Sequence, residues 1–330
     1  MSAQTSTVPP ALETVRCNLC GGANHRPVYR IPDALYHLDE WFQVVECLDC
    51  GLGFVNPRPR EGAMDRFYPT EFFNYFREQP SFHQRRYARE ASFLDAARPA
   101  AGKPRLLDVG CANGDFPRFM RGLGWEVEGV EIAAAADRID DFPVHRVPFP
   151  RIPVNGARFD AVTAWAVLEH VHDPMAYFRK VGEVLKPRGV FAFLVTNFAS
   201  VSSRYLYRED VPRHLHFFAK GTVARYLEQA GLALERSVFD GSIYEMAPLH
   251  WLRFHLRRFA GLRPLRWEEL PESRLDYCNR LALGQGMRGR FHYAATHPFT
   301  TLDRALMPAY AKGQQLAGTY GIATYVARKA

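Results

Sequence analysis

The stretch RLLDVGCANGDF (105–116) decides the fold. Leu106, Leu107 and Val109 are the apolar residues of a short buried strand, and an acid, Asp108, interrupts them. Gly110, Ala112 and Gly114 then follow, three residues with almost no side chain. A strand that ends in an acid and a stripped turn marks a strand-to-helix junction where a ligand comes close to the backbone. The free N–H groups at the start of the next helix face an anion. About 20 residues on, EVEGVEI (126–132) reads as a second strand, and its Glu131 can accept hydrogen bonds from both hydroxyls of a ribose.

The same alternation continues downstream. FDAVTAWAV (159–167) and GVFAFLVT (189–196) are apolar runs rich in β-branched residues, and 174–186 between them has the length of a helix. Pro187 and Gly189 stop that helix before the strand. Strands alternating with helices predict an α/β fold with a parallel sheet covered on both faces, whose ligand sits at the carboxyl ends of the strands. Two kinds of cofactor fit this outline. A dinucleotide calls for G-x-G-x-x-G, but here the positions hold Gly110, Ala112 and Asp115, and an acid is misplaced against a pyrophosphate. The alternative has one adenosine, one cation and an amino-acid tail: Asp108 takes its ammonium, directly or through water, and Glu131 its ribose.

At this point LLDVGCANGDF, VEGVEI, FDAVTAWAVLEHVHDP and LKPRGVFAF resemble, in order and separation, the motifs of the class I S-adenosylmethionine-dependent methyltransferases. The resemblance covers about residues 101–240, and YGIATYVARKA at 320–330 is similar to the last strand of that fold. It implies a Rossmann-like, seven-stranded methyltransferase sheet. It also implies that Asp108, Gly110, Ala112, Gly114 and Glu131 bind S-adenosylmethionine, with Trp165, Leu168 and Glu169 near it. FPVHRVPFP (142–150) is the candidate third strand. Cys111 reads as a small turn residue, since the chemistry needs no thiol.

The first 50 residues carry four of the six cysteines, as CNLCGG (17–22) and CLDCGLGF (47–54). Two C-x-x-C knuckles, each followed by glycine, bring four thiolates to one centre. Cys17, Cys20, Cys47 and Cys50 are therefore read as the ligands of a closed, structural Zn²⁺ in a zinc ribbon. The expected organisation is a ribbon and linker over 1–62 and a helical lid over 63–100. The methyltransferase core takes 101–240 with 319–330, and a helical insertion before the last strand takes 241–318. In the lid, Tyr68 and Tyr75 are candidates to touch the cofactor, against the reading of an aromatic stripe that simply packs on the sheet.

A methyl on a sulfonium needs in-line alignment and a base for the acceptor's proton. The stretch 208–231 places His214 and His216 before an amphipathic helix with Val223, Tyr226 and Leu227 on one face. His214 is the first choice of base, His216 the second, and His170 is read as organising the site. The layout is also similar to sugar C-methyltransferases of deoxysugar pathways. Those carry a Tyr-His-Glu-His cluster where this chain has Val211, Pro212, Arg213 and His214, which turns the expectation toward O-methylation. The acceptor is then a small molecule or a glycan or lipid precursor.

Composition sets the remaining bounds. The chain has 330 residues, 47% hydrophobic and 23% charged, with a net charge of +7. No run of about 18 apolar residues and no basic-then-apolar leader is present, so a cytoplasmic protein is expected. The segment 248–267 interleaves Trp251, Leu252, Leu256 and Phe259 with five arginines. It reads as a peripheral contact with the inner face of the membrane, a grip on a phosphorylated acceptor, or a solvated basic face. Nucleic acid is not the expected partner, because the ribbon is not especially basic. An RNA-binding or RNA-modifying protein is the alternative from another class, and nothing here sets an oligomeric state.

Overall fold

The computed structural model describes residues 11–33, 40–68, 80–133, 139–153, 156–206, 210–244, 250–263 and 298–330. Its strands are β1 (Leu12–Glu13), β2 (His25–Pro32), β3 (Trp41–Cys47), β4 (Gly53–Val55), β5 (Arg58–Pro59), β6 (Arg105–Val109) and β7 (Glu126–Val130). There follow β8 (Val144–His145), β9 (Phe159–Trp165), β10 (Leu185–Thr196), β11 (His216–Phe217), β12 (Leu232–Val238) and β13 (Ile322–Lys329). The helices are α1 (Pro80–Ala91), α2 (Asp115–Gly122), α3 (Pro174–Val184), α4 (Val201–Tyr205), α5 (Lys220–Gln229), α6 (Trp251–Phe259) and α7 (Pro298–Ala317).

Seven strands form the main sheet in the order β12-β13-β10-β9-β6-β7-β8. From β8 through β10 the neighbours run parallel, and β13 lies antiparallel to both β10 and β12. β9 is buried at all 7 of its residues, as a central parallel strand covered on two faces must be. The chain leaves β6 toward β7 on one side and returns to β9 on the other. This is the switch point, and the crevice beside it opens at the carboxyl ends of β6 and β9. The register sets Asp108 opposite Gly129 of β7 and Thr163 of β9. The expected third strand is only Val144–His145.

A second sheet joins the N-terminal segment to this core. Its order is β11-β4-β3-β2, so a strand from beyond β10 completes the sheet begun by the ribbon, with His216 opposite Phe54. The Phe198 ring occupies the place a Cβ on Gly53 would take, 2.7 Å away. Cys17, Leu19, Val45, Cys47, Leu52 and Phe54 belong to the same buried cluster as Phe178, Phe218 and Tyr226. The ribbon thus shares the main hydrophobic core.

In the expected lid, 61–63 and 65–67 are single 3₁₀ turns and α1 is the helix, while 69–79, with Tyr75, lies outside the described residues. In the expected insertion, α6 packs on α7 with Trp251 stacked on Tyr310 at 4.0 Å, and 264–297 lies outside the described residues. Of the segment 248–267, residues 250–263 are described, and Phe259 is 93% exposed beside Arg257 and Arg258. Among the described residues no helix is long and apolar enough to cross a membrane.

Candidate active site

The turn after β6 takes its shape from neighbours as much as from space for a ligand. Gly110 has φ +75°, and a Cβ there would meet Val167 Cγ2 at 2.5 Å. Gly114 has φ +83°, and its Cβ would meet Phe142 at 2.8 Å. Both positions demand glycine twice, by backbone conformation and by packing. Ala112, at φ +48°, donates its N–H to Glu131 Oε2 at 3.0 Å, and Ala133 donates to Oε1 at 2.9 Å. Glu131 therefore ties together the loops after β6 and β7. Beside Glu131, Ile132 is 68% exposed, an apolar side chain that sequence reasoning passed over. Cys111 is buried and its sulfur packs against Gly129, so it fills core space.

Asp108 is buried and accepts the Thr163 hydroxyl at 2.6 Å. Burial pushes its carboxyl up to about 8; Glu90 and Glu131 add to this, and the Thr163 hydrogen bond and Arg86 oppose it. Arg86 and Glu90 come from α1, and nothing in the helical pattern of that segment marks them. Trp165 and Leu168 lie in the core around the end of β9. Trp165 packs edge-on to Phe116 at 5.8 Å, and its indole Nε1 is buried without a partner.

Beyond β9 the chain brings Glu169, His170 and His214 together, each with a ligand-type atom within 4.8 Å of the others. The His170 and His214 rings meet edge to face at 4.7 Å. His170 Nδ1 lies 3.2 Å from the Arg213 carbonyl and 3.0 Å from the Tyr68 hydroxyl. A carbonyl only accepts, so Nδ1 carries the hydrogen and Nε2 keeps its lone pair. Burial, and then the charge of His214, pull His170 down to about 3. His216 stands apart: its Nδ1 donates to the Val171 carbonyl at 3.1 Å inside the joint between β11 and β4, and burial pulls it too down to about 3. Tyr68, read as a candidate for the cofactor, is instead bound to His170.

The loop holding His214 is fastened from below by Arg213, which is fully buried. Its guanidinium donates to Asp33 Oδ1 at 2.8 Å, to Asp210 through Nε at 2.8 Å, and to the Phe67 carbonyl at 3.0 Å. Asp33 follows β2 of the ribbon and Phe67 lies in the segment expected as a lid, so both meet the loop of His214 on one side chain. A generic arginine in a polar stretch gave no sequence signal for this.

The four cysteines converge as their spacing predicts. Cys17 and Cys50 sulfurs are 3.4 Å apart, Cys20 and Cys47 sulfurs 3.5 Å apart, and all four lie within 4.8 Å of one another. None of the four is in a disulfide. The two knuckles fold alike: Gly21 N–H bonds to the Cys17 carbonyl at 2.8 Å, and Gly51 N–H to the Cys47 carbonyl at 2.9 Å. A tetrahedral zinc with bonds of about 2.3 Å separates its sulfurs by roughly 3.8 Å, so the cluster is consistent with a zinc site. Without a cation, burial pushes the Cys17 thiol up to about 11.

Comparison with known proteins gives the family. A family model described as a methyltransferase domain matches residues 80–237. The ubiquinone biosynthesis O-methyltransferase of Xanthomonas campestris pv. campestris (strain B100) is 31% identical over 172 residues, covering 46% of this chain and 70% of that protein. Its namesake from Thiobacillus denitrificans is 29% identical over 164 residues, covering 43% and 70%. The solved structure of a SAM-dependent methyltransferase from Archaeoglobus fulgidus aligns with a TM-score of 0.47 at 16% identity, over 79% of this chain and 100% of that one. The chain belongs to the class I S-adenosylmethionine-dependent methyltransferases, and it is an enzyme of methyl transfer. The residues present fit the cofactor that family implies. Acids stand at the ends of β6 and β7, a small-residue turn lies between them, and a buried carboxylate oxygen of Glu90 lacks a donor.

Proposed function

We propose that this enzyme methylates a hydroxyl oxygen of a small molecule, or of a glycan or lipid precursor, with His214 taking the acceptor's proton. The observation that carries the reading is the cluster of Glu169, His170 and His214, placed just beyond the carboxyl end of β9, next to the Asp108 turn. Asp108, Gly110, Ala112, Gly114 and Glu131 hold the donor, and Trp165 and Leu168 back it from the core, beside Glu169. Bound S-adenosylmethionine supplies a methyl already activated by a sulfonium. The protein's task is then alignment and removal of one proton.

Burial lowers His170 and His216 to about 3, which makes both weaker bases, and His214 lies beside His170 at the end of the site loop. His170 faces His214 edge-on and is fixed by the Arg213 carbonyl, which makes it the piece that orients the base. That the Xanthomonas and Thiobacillus relatives are O-methyltransferases supports oxygen over carbon as the acceptor. The four cysteines, in this reading, bind a structural Zn²⁺. Residues 101–240 with 319–330 form the catalytic unit, and 63–100 and 241–318 contribute the acceptor side.

The test is His214→Gln, assayed with S-adenosylmethionine against hydroxyl acceptors, soluble and lipid-borne, with and without anionic vesicles. Turnover should fall about a hundredfold or more, while affinity for S-adenosylhomocysteine stays as in the wild type. Unchanged turnover removes His214 from the role of base.

A further inference from the structure

We propose that Glu90 of α1 is a direct ligand of the cofactor's amino-acid end, taking its ammonium on Oε2 beside Asp108; this rests on the reading of the β6 turn as an S-adenosylmethionine site. The Glu90 side chain is fully buried. Its Oε1 accepts from Arg86 Nε at 2.7 Å, and its Oε2, equally buried, has no hydrogen-bond partner among the described residues. A carboxylate oxygen left in that state is costly unless a donor arrives. Arg86 is already engaged on its other side, its guanidinium over the Tyr244 ring at 4.3 Å. Nor is Glu90 a loosely placed side chain. Arg89, one residue before it, bonds to Ser242 at 3.0 Å and Asp240 at 3.2 Å, which clamps α1 to the segment after β12.

The charges around Asp108 point the same way. The groups facing it are Glu90 and Arg86 of α1, Glu131 after β7, and the Thr163 hydroxyl of β9. Arg86 offsets one of the two buried acids, Glu90 and Asp108, and a second positive charge is needed to keep both ionised. A primary ammonium carries that charge and three N–H donors, enough for Glu90 Oε2 and Asp108 together. The sulfonium of the donor adds to the attraction, but the ammonium is present in donor and product alike.

Burial pushes Glu90 up to about 7, against the pull of Arg86, and Asp108 up to about 8. Near pH 7 the pair therefore holds protons that an incoming ammonium displaces. Binding should release about one proton, and affinity should rise as pH increases through this range.

The experiment is calorimetric titration of the zinc-replete protein in buffers of different ionisation enthalpy. The ligands are S-adenosylhomocysteine, which has the ammonium, and 5′-methylthioadenosine, which lacks the amino-acid tail. Wild type should release about one proton with the first and none with the second. Glu90→Gln should weaken S-adenosylhomocysteine about ten- to a hundredfold, reduce the proton release, and leave 5′-methylthioadenosine binding unchanged. That unchanged binding also shows the variant to be folded. Wild type without proton release, or Glu90→Gln binding S-adenosylhomocysteine like wild type, overturns the proposal. So does equal weakening of both ligands, which would make Glu90 a packing residue. Wild type that binds neither ligand overturns the cofactor reading beneath it.

Discussion

Replacing Arg213 with methionine should unfasten the loop that carries His214. The wild-type guanidinium pairs with Asp33, both side chains 0% exposed, and with Asp210, which is 28% exposed. Methionine matches much of the volume but takes the guanidinium away from the buried Asp33 carboxylate. Breaking a buried pair on one side costs about 3–5 kcal/mol. A protein's whole margin is about 5–15 kcal/mol, so the loss is large. With a urea slope of about 3 kcal/mol/M, the unfolding midpoint should fall by roughly 1–1.7 M. Adding Asp33→Leu should restore much of the loss, because an apolar pair replaces an ionic one. The pH dependence gives a second signature. Burial alone would raise the Asp210 carboxyl, but the hydrogen bonds and charge of Arg213 hold it below its usual range. A lowered carboxylate adds stability that is full above its unfolded value of about 4 and is lost as pH falls through the folded value. The stability gap between wild type and variant should therefore narrow in acid below about pH 4. Urea titration by circular dichroism at neutral and acid pH is the assay. A variant within about 1 kcal/mol of wild type, or a double variant no better than the single one, would refute the reasoning.

Two further outcomes are expected. His216→Phe should lower stability by about 1–3 kcal/mol, since the Val171 carbonyl loses its donor, yet leave turnover of the folded enzyme close to wild type; a large drop in turnover at unchanged stability would move His216 into the chemistry. Removing zinc with a strong chelator under reducing conditions should release about one equivalent of metal and cost both stability and activity. The reason is that β4 of the ribbon pairs with β11, two residues beyond His214. Metal analysis with activity on the same sample checks this, and full activity in metal-free protein would show that ribbon and site are independent.

The candidate turn after β6 was legible as a motif because it is local. Asp108, Gly110, Ala112 and Gly114 fall within seven consecutive residues, and Glu131 follows one strand later. The four cysteines were legible for the same reason, as two short-range pairs. The histidines were only half legible. His214 and His216 differ by two residues and look alike in sequence, yet one stands beside His170 and the other is locked in a sheet joint. His216 opens β11 and lies opposite Phe54 of β4, while His214 precedes the strand, and only the pairing of β11 with β4 fixes where that strand begins.

What the sequence determined by itself is the order of the strands and helices, the acid-and-glycine turn, and the thiolate set, because each depends on spacing along the chain. What the tertiary structure decided is every contact between distant segments. Glu90 and Arg86 act on the Asp108 carboxyl only because the fold brings α1 to it, and Arg213 reaches Asp33 across 180 positions. Burial then sets the chemistry. The same histidine side chain titrates near neutrality in water and stays neutral in the core, and no pattern of residues along the chain states which environment it will meet.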